Sequence, residues 1–122
     1  MKNLVSIVEI PTADFFRAVI FYQSVLNVKI EEVDMGEVHM GVLPSVEDSV
    51  SVVLVKGDDY KPSSNGSLVY LNAGNDIESL LKKIETSGGK IIAPKTEISP
   101  EMGFFALFAD TEGNKLGLHA TN

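Results

Sequence analysis

At 122 residues, 44% of them hydrophobic and 22% charged, the chain has the size and composition of one compact domain with a buried core. Ten basic residues stand against 17 acidic, a formal charge of −7, and no Lys/Arg cluster concentrates positive charge, which excludes nucleic acid as a natural partner. The absence of cysteine removes disulfides, thiolate metal sites and thiol nucleophiles together. The opening Met1-Lys2-Asn3 lacks the apolar core of a signal peptide, and no apolar run approaches the ~20 residues of a membrane span. A cytoplasmic protein with no membrane partner is the expectation.

Leu4 to Ile10 reads as a β-branched strand ended by Pro11. Asp14 is placed to cap a helix in which Phe15, Val19, Tyr22 and Leu26 recur at spacings of three to four, with Ala18, Phe21 and Val25 widening the stripe. Val28 to Val33, Val38 to Leu43 and Val50 to Val55 follow as short strands, punctuated by Gly36, Pro44 and Gly57. The polar stretch around 58–66 reads as a linker. Ser67 to Ala73 is the next strand. A second helix carries Ile77, Leu80, Leu81 and Ile84 on one face, with capping-box spacing from Asn75 to Glu78 and a stop at Gly88-Gly89. Lys90 to Ile98, Phe104 to Ala109 and Lys115 to His119 complete the chain. Asp110 to Asn114 turns the last hairpin, with Gly113 and Asn114 able to take positive φ.

This order repeats. Strand, helix and three strands occur twice, with Asp14 and Asp76 opening the two helices 62 residues apart. The expected fold is α+β: two βαβββ modules forming a mixed, curved eight-stranded sheet around a concave cavity, helices on the outer face. Module one spans 1–57, the linker 58–66 and module two 67–122.

Strand parity separates the two faces of each module. The helices must cover the purely apolar sets, such as Val69, Leu71 and Ala73, or Leu116 and Leu118. The mixed sets then face the cavity, which gathers Glu9, Tyr70, Asn72 and His119. His39 joins them if Val38, Met40 and Val42 face the helix, and Phe105 belongs to the aromatic wall.

The run Glu9-Ile10-Pro11, Asp14, Arg17-Ala18 and Phe21-Tyr22 resembles the opening of vicinal oxygen chelate proteins. Gly103-Phe104 through Asp110-Thr-Glu-Gly-Asn-Lys-Leu116 resembles their closing hairpin. That superfamily includes glyoxalase I, extradiol dioxygenases, methylmalonyl-CoA epimerase and antibiotic resistance proteins. The resemblance implies the paired βαβββ fold, a ligand cavity and homodimers. In metal-dependent members the ligands come from the first and last strands of each module. The matching positions here are Ile7, Tyr70, Gly117 and a fourth near Val53. An aliphatic chain and a glycine bind no divalent cation, and a neutral tyrosine binds one poorly. No cofactor is expected, and a divalent metal only through a non-standard site.

Glu9, Asn72 and His119 each lie two residues beyond a lost ligand position, roughly 6.6 Å along the strand. Two function classes follow. One is a protein that binds a small organic molecule without the usual metal, with Tyr70, Asn72, His39 and Phe105 as contacts. The other is a lyase or isomerase of glyoxalase type, with Glu9 and His119 as the base and acid of a proton transfer. A third reading makes Glu9, His39 and His119 a metal triad, although His39's strand lies about 9.5 Å from the first in the usual order.

Overall fold

A computed structural model describes residues 3–122, and Met1 and Lys2 lie outside the described residues. The chain forms two compact units, Met1–Pro62 and Ser63–Asn122. The first holds β1 (Ile7–Pro11), α1 (Phe15–Leu26), β2 (Glu31–Asp34), β3 (His39–Val42) and β4 (Ser51–Lys56). The second holds β5 (Tyr70–Asn72), α2 (Ile77–Thr86), β6 (Lys90–Ser99), β7 (Gly103–Ala109) and β8 (Lys115–Ala120). The strands pair as two four-stranded sheets, ordered β1-β4-β3-β2 and β5-β8-β7-β6, rather than as one sheet of eight. Each sheet has one parallel pair, β1 with β4 and β5 with β8, and is otherwise antiparallel. The two modules therefore share one topology.

The helix starts carry the repeat most clearly. The Asp14 carboxylate accepts from the Arg17 N–H at 3.2 Å, and Asp76 accepts from the Ser79 N–H at 3.0 Å. Each satisfies one of the donors that a helix start leaves unpaired, worth about 1 kcal/mol. The cap of α2 is thus Asp76, and the Asn75–Glu78 box does not form. Asn27, at φ 53°, closes α1, and Gly88, at φ 101°, follows α2.

α1 turns Phe15, Ala18, Val19, Phe21, Tyr22 and Val25 onto its sheet, each no more than 5% exposed. At ~1.5–3 kcal/mol for each large side chain, that stripe dominates the first unit's stability. Ile77, Leu81 and Ile84 do the same for α2, against Phe108, Leu116 and Leu118. Among the described residues no buried side-chain nitrogen or oxygen lacks a hydrogen-bond partner.

Several boundaries differ from the sequence reading, and β2 starts at Glu31 rather than Val28. β1 starts at Ile7, leaving Leu4 and Val5 exposed, and β5 starts at Tyr70 rather than Ser67. Pro11 belongs to β1, which is an edge strand and can lose an N–H without breaking the ladder. Thr12 then fastens the strand end, its N–H and hydroxyl both donating to the Val55 carbonyl. The 58–66 stretch is anchored at both ends. The Tyr60 N–H donates to Gly57 in the first unit, and the Ser63 N–H donates to Asn114 Oδ1 in the second.

In the last hairpin only Gly113 takes positive φ, at 88°, and Asn114 does not. Instead Asp110, 5% exposed, accepts the N–H groups of Glu112 and Asn114, both at 2.9 Å, and the Asn114 amide at 3.1 Å. No helix among the described residues is long and apolar enough to cross a membrane.

Candidate ligand groove and its polar pair

Register fixes which side chains share a face. In the second unit Asn72, His119 and Phe105 form one row across β5, β8 and β7, and Tyr70, Gly117 and Leu107 form the next. Both rows lie on the face away from α2, because Leu71, Leu118 and Ala106 between them form the helix-side row. The face-sorting by parity holds here. Tyr70, Asn72 and His119, with Ile98 and Met102 from the β6–β7 hairpin, line a groove of about 490 Å³. That volume suits a small organic molecule. Phe105 meets the Tyr70 ring edge-on, centroids 6.5 Å apart, and supports it without lining the groove.

The polar groups of the groove are held in place. The Asn72 Oδ1 accepts the Gly74 N–H at 2.8 Å. His119 Nε2 stands 2.7 Å from the Met102 carbonyl oxygen. A carbonyl only accepts, so Nε2 carries the proton and, in the neutral ring, the lone pair is on Nδ1. Ile98 and Met102 escaped the sequence reading. The available signal was Ser99-Pro100-Glu101-Met102-Gly103, a tight turn bracketed by apolar residues.

His39 behaves differently. A Cβ on Gly41 would touch Ile30 and Phe15, so Gly41 faces α1. His39, two residues earlier on β3, does the same, its ring 5.9 Å from that of Phe15. It lines a separate hollow of about 300 Å³ with Asp14, Phe15, Phe16 and Lys56. Glu9, opposite Val53, is on the other face of the same sheet. The Glu9–His39–His119 triad is therefore ruled out, since two of its members stand on opposite faces of one sheet. The parity misled because both faces are apolar here. Val53 and Val55, on the Glu9 face, are as buried as Leu54 on the helix side, so hydrophobicity does not choose between Met40 and Gly41.

The residues at the family's ligand positions do not fit a metal. Ile7 is paired with Ser51, and Val53 with Glu9. Tyr70 and Gly117 are direct cross-strand partners, and a Cβ on Gly117 would overlap the Cδ2 and Cε2 edge of the Tyr70 ring. The ring lies on the glycine and fills the place a ligand side chain at 117 would need. Among the described residues no three His, Asp or Glu side chains come together as a metal site.

Two units of one βαβββ topology, with a groove on the helix-free face of the second unit's sheet, define the architecture. The chain belongs to the Glyoxalase/Bleomycin resistance protein/Dioxygenase superfamily, whose family model matches residues 4–118. A glyoxylase-like domain-containing protein from Didymella fabae is 25% identical over 117 residues, covering 93% of this chain and 91% of that one. A glyoxylase/bleomycin resistance protein/dioxygenase domain from Frankia sp. EAN1pec superposes with a TM-score of 0.76 at 14% identity, covering 100% of this chain and 93% of that one. A glyoxalase I variant from Zea mays gives 0.71 at 19% identity, over 95% of this chain and 46% of that one. Such likeness shows the fold and leaves the specific activity undetermined.

Proposed function

We propose that this protein binds a small organic molecule in the Tyr70–Asn72–His119 groove, without a metal at the superfamily's usual position. The observation that carries the reading is the Tyr70–Gly117 pair. It replaces two donor-bearing positions with an aromatic floor, and it leaves the groove's polar groups one row further along the strands. Apolar contact from Tyr70, Ile98 and Met102 supplies affinity, and Asn72 and His119 supply orientation. A cytoplasmic homodimer belongs to the same proposal, on the habit of the superfamily.

The test is a fragment screen followed by protein NMR, with metal content measured alongside. Binders that shift the Tyr70, Asn72, Met102 and His119 signals support the reading. A metal bound one per chain, together with a panel that leaves those signals unmoved, overturns it.

One observation favours a second reading, proton transfer. His119 is oriented through Nε2 by a fixed acceptor, as a general base needs, leaving Nδ1 as the reactive nitrogen. In that scheme His119 suits the base role better than the acid role, because its one neutral-state N–H is committed to Met102. Turnover of a glyoxalase-type substrate that survives Glu9→Gln but not His119→Gln would support that assignment. Survival of both substitutions removes the reading.

A further inference from the structure

Asn72 and His119 are register partners on adjacent strands, roughly 4.8 Å apart, and both line the groove. The Gly74 N–H donated to Asn72 Oδ1 fixes which way round the amide stands, so that its NH₂ donor is the end not held by the backbone. His119 has its Nε2–H on the Met102 carbonyl, so what the neutral ring has left is the Nδ1 acceptor. The two backbone tethers therefore set complementary polarity on neighbouring groups, one donor beside one acceptor. The matching ligand edge is an acceptor beside a donor, O=C–N–H.

We propose that this groove selects uncharged ligands with an amide-type edge, a primary amide or a lactam, carried on an apolar body, and discriminates against the corresponding carboxylates. The proposal rests on the groove being the binding site. A carboxylate offers two acceptors. One would satisfy Asn72, while the other would face the Nδ1 lone pair, an unmade hydrogen bond that costs more than a neutral contact. Among the described residues no Lys or Arg lines the groove to offset the charge, and the chain's net −7 opposes an anion further. The body of the ligand lies against Tyr70, Ile98 and Met102, which present a ring face, a branched aliphatic chain and a thioether.

The experiment compares four probes of one size: benzamide, N,N-dimethylbenzamide, benzoate and benzamidine. Binding is read from the chemical shifts of groove residues, and 15N spectra of labelled histidine report which ring nitrogen of His119 carries the proton, Nε2 being expected from the Met102 carbonyl. The expected result is benzamide tighter than each of the others by roughly ten-fold, the scale of one hydrogen bond mismatched where the ligand displaces water. Asn72→Asp keeps the acceptor for Gly74 and turns the outward donor into an acceptor. That variant is expected to lose the benzamide preference and gain one for benzamidine, which presents donors only. Equal affinities for all four probes, or a proton on His119 Nδ1 instead of Nε2, overturn the edge selection while leaving the groove as a binding site. If none of the four perturbs the groove signals at millimolar concentration, the selection falls, and the binding reading falls with it only if the wider fragment panel is silent too and a metal is bound one per chain.

Discussion

Replacing Gly117 with alanine tests the Tyr70–Gly117 floor directly, and its effect changes sign with the residue opposite. A Cβ at 117 would overlap the Cδ2 and Cε2 edge of the Tyr70 ring and lie 3.0 Å from Cγ. Because Cγ is among the obstructed atoms, turning the ring about its own axis gives no relief, and the whole side chain must swing from its rotamer. Overpacking of that kind costs about 1–3 kcal/mol. Against it stands a gain of about 0.5–1 kcal/mol, since alanine reduces the freedom of the unfolded chain where glycine's conformation is not required. Gly117 has no positive φ, so that gain is available. The expected net effect is a loss of about 1–2 kcal/mol, some 4–8 °C in Tm for a chain between the two size classes of the thermal scaling.

In a Tyr70→Ala background the obstruction is gone, and Gly117→Ala should stabilise by about 0.5–1 kcal/mol. Urea unfolding of wild type, both single variants and the double variant gives a coupling of about 1.5–3 kcal/mol. An equal effect of Gly117→Ala in both backgrounds would refute the stacked-ring account, because the cost would then arise from the glycine backbone alone.

Gly103 is the second glycine with a steric demand: its φ is +83°, and an added Cβ would overlap the Ala120 carbonyl and come within 2.8 Å of Thr121 Cα. Gly103→Ala should therefore cost at least twice as much as Gly113→Ala, whose φ is +88° but whose Cβ would meet open space and whose cost is the ~1–2 kcal/mol of a left-handed residue. Thermal unfolding of the two variants checks that ratio. Asp14→Ala and Asp76→Ala should each lose about 1 kcal/mol, while the asparagine variants lose much less, as measured by urea titration. Asp110→Ala strands the Glu112 and Asn114 N–H groups and should cost about 2–4 kcal/mol by the same titration, the loss expected when hydrogen bonds to a buried carboxylate are removed.

The fold was legible because its signals are local and repeat. Two aspartates 62 residues apart each begin an apolar stripe, and both cap their helices. Faces were legible where one side of a sheet is plainly apolar, as in Leu116 and Leu118 against Gly117 and His119. They were illegible on β3, where Met40 and Gly41 face opposite ways between buried neighbours, and so His39 was put on the wrong side. The connection from β5 to α2 is also one residue longer than that from β1 to α1, turning at Gly74 with φ +66°. The repeat is therefore in phase at the caps and out of phase in the strands before them: Glu9 faces away from its helix, and Leu71, 62 residues on, faces toward its own. Tethers such as Met102 on His119 depend on hairpin geometry that no spacing in the chain encodes.

The Tyr70–Gly117 pair connects what the chain has lost with what it has gained. In its rotamer the Tyr70 ring occupies the space that a Cβ at 117 would take, and glycine leaves that space open. The two residues form one device, and neither alone would close the family's ligand position in this way. Placing a carboxylate at 117 would meet the ring before it met an ion, and removing the ring alone would expose a glycine that donates nothing. Restoring a metal there thus requires changes on both strands at once. One row along the same ladder, Asn72 and His119 show the opposite logic. Each lines the groove while a backbone group, the Gly74 N–H or the Met102 carbonyl, fixes its orientation. The same cross-strand pairing thus sets a ring on a glycine in one row and two backbone-tethered polar side chains in the next.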